Sequence, residues 1–141
     1  MKRLLACLAL SACATTQASP PPERVAGCWI ARTGTASTTT MRWLPDRERP
    51  GVLRGDKLEY RASGDPISTR YTLEPNESGH ALCALDNANH ATACWVVAQG
   101  EDGSLEGGRA FIDAYADRLR ISIVGDGAER TIFQGRRDGC D

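Results

Sequence analysis

Short runs of alternating apolar and polar residues occupy the chain from about residue 25 onward, and turn-forming residues separate them. Every second residue from Ile67 to Leu73 falls on one face, as in an antiparallel strand with one buried side. Apolar and polar residues alternate in the same way from Arg118 to Val124. The pattern predicts strands at 28–33, 37–43, 51–60, 67–73, 79–85, 91–98, 109–115, 118–124 and 129–136, the third being one bent strand or two.

Eight or nine strands at near-regular spacing, without a long helical pattern, predict an all-β domain. We expect a small antiparallel meander barrel, with a β-sandwich as the alternative. Asp86 to His90 and Gly125 to Gly127 are typical turn sequences, because Asn, Asp and Gly tolerate left-handed backbone. Closure of a barrel removes exposed strand edges and makes the first and last strands neighbours.

The first residues have the order of an export signal. Lys2 and Arg3 precede the apolar run Leu4–Leu10, and Ser11-Ala12 lead into Cys13. This apolar run is too short to span a bilayer, which takes about 20 residues. The alternative is an ordinary secretory signal cut near residues 18–19.

The segment Leu10-Ser11-Ala12-Cys13 resembles the lipobox of bacterial lipoproteins. The resemblance implies cleavage before Cys13 and attachment of its sulfur to diacylglycerol. It further implies the outer membrane, facing the periplasm, because Ala14 rather than Asp follows. Residues 1–12 are then a signal peptide, 13–24 a lipidated, proline-rich tether, and 25–141 the barrel domain.

Cysteine count points to the same compartment. Six cysteines are present, and loss of Cys7 with the signal and use of Cys13 for lipid leave four. An even number of thiols in an oxidising space favours two disulfides, although three pairings are possible. We favour the pairings Cys83 with Cys94 and Cys28 with Cys140. A zinc site is disfavoured, because no C-x-x-C pair occurs and the two histidines lack ligand spacing.

The first predicted strand opens with Gly27-Cys28-Trp29. A Gly-x-Trp at this position resembles the opening motif of lipocalins and related small barrels. The resemblance implies that Trp29 plugs the closed end of the barrel beneath an arginine of the last strand, and Arg130 and Arg136 are the candidates.

Charge and motifs exclude several function classes. The net charge of −1 gives no field that would attract nucleic acid. No nucleophile motif, acid pair or phosphate-binding loop is evident, so we expect no enzyme and no cofactor. His80 and His90 are interpreted as turn or surface residues.

Large aromatic residues are spread along the predicted strands. They are either core residues or the lining of an apolar ligand cup, and they are Trp29, Trp43, Tyr60, Tyr71 and Trp95. The sequence therefore suggests a non-enzymatic envelope lipoprotein that is structural or binds a small apolar ligand. The alternative is an inhibitor of a secreted protease or lysozyme, acting through the loop Pro45–Gly51 or the loop Asp86–His90.

Overall fold

A computed structural model describes residues 22–34, 37–77, 79–97 and 108–140. The predicted signal peptide and the lipidation site Cys13 lie outside the described residues. The first described element is a short helix, α1 (Pro22–Val25). Residues 22–24, at the end of the segment that the sequence assigned to the proline-rich tether, belong to this helical turn before the first strand. Within the described part of the chain, no helix has the length and hydropathy to cross a bilayer.

Nine β-strands follow α1, and their positions agree with the runs of alternating residues. They are β1 (Gly27–Thr33), β2 (Ser37–Pro45), β3 (Leu53–Tyr60), β4 (Ile67–Asn76), β5 (Gly79–Leu85), β6 (Ala91–Val97), β7 (Arg109–Ala114), β8 (Arg118–Gly125) and β9 (Ala128–Asp138). The third predicted run is one continuous strand. Gly55 lies in the middle of this strand, and only glycine fits there because a Cβ would stand 2.7 Å from the ring of Trp43.

The turn between β8 and β9 shows how the local sequence sets strand pairing. Gly125 and Ala128 are paired, and the two residues between them, Asp126 and Gly127, have φ values of 53° and 78°. Positive φ at both central residues defines a type I′ turn, whose twist matches that of the flanking strands. Asp-Gly is among the dipeptides that tolerate this conformation best, so the sequence itself specifies this hairpin.

The nine strands form a closed barrel in sequence order, which confirms the barrel rather than the sandwich. One pair departs from the predicted antiparallel pattern: β6 and β7 are parallel, joined at Val96–Arg109 and Val97–Ala110. Strands that alternate in direction around a ring of nine cannot all have antiparallel neighbours. The first and last strands pair antiparallel, so the parallel contact occurs at β6 and β7 instead.

Inward-facing apolar side chains fill the barrel. The largest fully buried ones are Trp29, Trp43, Met41, Leu82, Leu119 and Ile121. They belong to four strands, β1, β2, β5 and β8, which closure of the sheet brings together around one core. Burying such side chains contributes about 1.5–3 kcal/mol each, which makes this cluster the main stabilising element of the domain.

Candidate functional site

The end of the barrel where β1 begins is built around Trp29. Its Nε1 donates a hydrogen bond of 2.9 Å to the carbonyl oxygen of Val25 in α1. The guanidinium of Arg137, from β9, lies over the indole ring at 4.1 Å from the centroid. Arg137 also donates to the carbonyl oxygens of Ala116, Ala26 and Arg24 at 2.7, 3.2 and 3.2 Å. One arginine thus joins α1, the β7–β8 turn and the first strand.

The arginine over Trp29 is therefore neither Arg130 nor Arg136, the two candidates named from the sequence. Pairing of β8 with β9 shifts register between Ile121 and Ser122, so a bulge changes which residues of β9 face inward. Beyond the bulge, Phe133 and Arg137 share the inward phase, whereas Arg136 faces outward. Arg130 lies before the bulge and is opposite Ile123, away from the end of the barrel that holds Trp29.

The structure does not gather the predicted aromatic residues into a cup. Trp29, Trp43 and Tyr71 are buried members of the core cluster, and Trp95 packs against its side. Tyr60 is exposed at the end of β3. Their positions correspond to the core-packing interpretation for three of the five. The buried Nε1 of Trp43 has no hydrogen-bond partner in the described part of the chain.

A polar cluster that the sequence did not suggest lies inside the barrel toward its other end. Lys57 is buried, and its Nζ contacts Glu59 Oε1 at 2.8 Å and the carbonyl oxygen of Ile132 at 3.4 Å. The hydrogen bond from Lys57 lowers the pKa of Glu59. Burial raises the pKa of the nearby Tyr71 hydroxyl. Lys57 and Glu59 pair along β3, and the contact of Lys57 with Ile132 joins β3 to β9, so we interpret the cluster as structural.

An open groove of about 680 Å³ lies on the outer wall of the barrel, across β7, β8, β9 and β1. Its side chains alternate along β8 and β9 with core residues such as Leu119 and Phe133, so they point to solvent. Pairing of β1 with β9 covers three residues and ends at Ile30 and Arg136. The following residues of β1 have no β9 partner, and they form one side of the groove.

Positive charge dominates this groove. Four arginines line it, Arg32, Arg118, Arg120 and Arg136, against one aspartate, Asp113. The register of β8 and β9 places Arg118 directly opposite Arg136. Like charges at directly opposed positions destabilise a sheet. Arg120 is opposite Asp113 on β7, so the unbalanced charge is concentrated at the first pair.

The arginine groove, as we name this site, also has apolar surface. Ile30 is opposite Arg136 on the β1 side. Tyr115, at the other side, is 47% exposed. The guanidinium of Arg118 lies 5.0 Å from the centroid of the Tyr115 ring. The groove thus combines guanidinium groups with apolar side chains, which suits an anion attached to an apolar group.

Both predicted disulfides are present, Cys28 with Cys140 and Cys83 with Cys94. The first lies beside the contact of β1 with β9, where Cys28 is opposite Asp138. The second joins directly opposed residues of β5 and β6. Among the described residues, no group of three or more His, Cys, Asp or Glu side chains is placed to hold a metal ion.

The two loops proposed for a protein partner are each held by an aspartate. Asp46 Oδ1 accepts hydrogen bonds from two backbone N–H groups of its loop, those of Glu48 and Arg49. Asp86 Oδ1 accepts from Ala88 and His90, both at 2.8 Å. Because β2–β3 and β5–β6 connections fall at opposite ends of this barrel, the loops cannot form one surface.

The loop Asp86–His90 is also hydrogen-bonded to a neighbouring strand. Arg70 of β4 donates to Asn89 Oδ1 at 2.7 Å and to the carbonyl oxygen of Asn87 at 2.9 Å. The backbone N–H of His90, then that of Ala88, hold the pKa of Asp86 below its ordinary value. The disulfide between β5 and β6 lies just below this loop.

Comparison with known proteins leaves the site to be interpreted from its geometry: no family model matches the chain, and no curated protein or solved structure gives a significant match.

Proposed function

We propose that this protein is a non-enzymatic lipoprotein of the bacterial cell envelope, anchored through Cys13 in the outer membrane, whose barrel binds a partner on its outer surface. The binding role rests on one observation: the barrel interior is filled with side chains, whereas its outer surface has an open groove. The inside is packed with large side chains such as Trp29, Trp43 and Met41, whereas the arginine groove is open.

Two features support the cellular setting. The charged, apolar and small-residue order of residues 1–12 ends at Cys13, as in a lipoprotein signal. Four cysteines of the domain form two disulfides, which persist in oxidising compartments such as the periplasm. An acylated protein would remain on the bilayer, since each buried methylene contributes about 0.8 kcal/mol.

The anchor is tested by replacing Cys13 with Ser in the native host. We expect loss of labelling by radioactive palmitate and release of the domain from the outer-membrane fraction. Cys7→Ser is the matched control, because Cys7 lies in the apolar run and its replacement should leave labelling intact. Labelling that survives Cys13→Ser would reject the anchor.

A second candidate function is inhibition of a secreted protease or lysozyme, and the hydrogen bonds that hold the loop Asp86–His90 favour it. Binding through a loop that is fixed beforehand avoids the entropy cost of ordering it in the complex. A pull-down from periplasmic extract should then recover a stoichiometric enzyme complex. Arg70→Ala, which removes two hydrogen bonds to the loop, should weaken that complex, whereas Arg54→Ala on the neighbouring strand should not.

A further inference from the structure

The geometry points to a specific ligand class for the arginine groove: we propose that it binds an amphipathic anion, a phosphate or carboxylate group joined to an apolar chain or ring. This inference deepens the proposed binding function by naming its ligand chemistry. It does not depend on the lipid anchor, so the two can fail separately.

The arrangement of Arg118 and Arg136 is the first reason. They are directly opposed on β8 and β9, and both point away from the core. The acid nearest to Arg118 is Asp117 at 3.8 Å, and the two side chains are 71% and 83% exposed. So exposed a pair contributes little. Arg136 has no side-chain hydrogen bond or ion pair among the described residues. An anion between the two guanidinium groups would relieve their repulsion.

The other two arginines of the groove differ in whether a carboxylate already pairs with them. Arg120 already has a carboxylate, Glu129, at 3.0 Å. Arg32 has no ion pair within the described chain and lines the same groove from β1. The available positive charge is thus provided by Arg32, Arg118 and Arg136, from three adjacent strands. Their guanidinium forks match carboxylate and phosphate oxygens.

The volume and the apolar walls of the groove indicate that the anion carries an apolar group. A volume of about 680 Å³ lies within the range of sites that hold small molecules. It is much larger than a free phosphate ion needs. Ile30 lies beside Arg136, and Tyr115 lies beside Arg118, so apolar surface flanks the charged pair on both sides. An ion without an apolar part would leave these walls uncovered, whereas an amphipathic anion would cover them.

The test is calorimetric titration of the full chain carrying Cys13→Ser, which removes the acyl chains that would compete for the groove. The probe is monododecyl phosphate below its micelle concentration. Dodecanoate, inorganic phosphate and the uncharged dodecyl maltoside are added in parallel. We expect both amphipathic anions to bind, and the other two to bind at least about tenfold more weakly.

Arg136→Gln should weaken binding of dodecyl phosphate about tenfold or more, because it removes a charged hydrogen-bond donor. Arg42→Gln is the matched control: Arg42 is an exposed arginine on β2, outside the groove. Equal weakening by both variants would mean general charge attraction and would overturn the proposal. Equal binding of dodecyl maltoside, or no binding of either anion, would also overturn it.

The source of the anion is separated in a second arm. Flotation of the same protein with phosphatidylcholine vesicles, with and without phosphatidylglycerol, tests whether a membrane phosphate can enter the groove. Flotation that requires phosphatidylglycerol and Arg136 assigns the site to a lipid headgroup. Binding of soluble dodecyl phosphate without flotation assigns it to a soluble ligand. Flotation that is unchanged by Arg136→Gln, with no soluble binding, contradicts the site.

Discussion

Removing the disulfide between Cys28 and Cys140 should destabilise the barrel more than removing the disulfide between Cys83 and Cys94. The perturbation is a double replacement by Ala at each pair, which avoids a free thiol. Both bonds lie next to strand contacts, but they constrain the unfolded chain very differently. Their sequence separations are 112 and 11 residues.

The size of the difference follows from loop-closure entropy. Cross-linking a chain removes unfolded-state entropy that grows with the logarithm of the loop length. The separation of 112 corresponds to about 5 kcal/mol at 25 °C, and the separation of 11 to about 3 kcal/mol. The larger loss is a substantial part of the free energy of unfolding of a typical domain, which is about 5–15 kcal/mol. Since β1 pairs with β9 over only three residues, this contact depends on the disulfide together with the contacts of Arg137 to Trp29 and Ala26.

Urea unfolding followed by tryptophan fluorescence measures both losses. The Cys28/Cys140 variant should have the lower midpoint and also a steeper dependence on urea, because its unfolded state becomes more expanded. Wild-type protein under reducing conditions gives the sum of the two losses. Equal midpoints for the two double variants, or a lower midpoint for the Cys83/Cys94 variant, would refute the reasoning.

Three further predictions concern single residues. Arg137→Met should lower the free energy of unfolding by about 2–3 kcal/mol, since it removes three hydrogen bonds to carbonyl oxygens and the contact with the Trp29 ring. The control Arg136→Met should lower it by less than about 0.5 kcal/mol, and similar losses of unfolding free energy for both variants in urea titrations would contradict the role of Arg137. Trp29→Phe should cost about 1 kcal/mol more than Trp43→Phe, because only the indole N–H of Trp29 has a partner, and thermal melts of the two variants check this. The pKa of Asp86 in the folded protein lies below its ordinary value of 3.8, so its contribution to folding stability is complete above pH 3.8 and is lost as the pH falls below it. Asp86→Asn should therefore make the urea midpoint less dependent on pH in this acid range. The same pH dependence in the variant and the wild type would contradict this role of Asp86.

Most of the fold could be predicted from the sequence because its causes are local. Alternation of apolar and polar residues places each strand, and Asp126-Gly127 specifies its hairpin. The outward direction of Arg118 and Arg120 follows from the same alternation, since Leu119 and Ile121 lie between them and are buried. Pairing of Cys28 with Cys140 was also accessible, because barrel closure brings the two ends of the domain together.

The site could not be read in this way, because it depends on contacts between strands that are distant in sequence. A bulge in β9 decides that Arg137 covers Trp29 while Arg136 faces the groove, and the β9 sequence does not mark the position of that bulge. The end of β1–β9 pairing at Ile30 creates the concavity, although residues 28–33 form one continuous pattern. Sequence by itself determined the strands, the faces of regular strands such as β8 and the turns, through short-range sterics and burial. Only the tertiary structure decided the register across the closing strands, and with it which arginines share a surface.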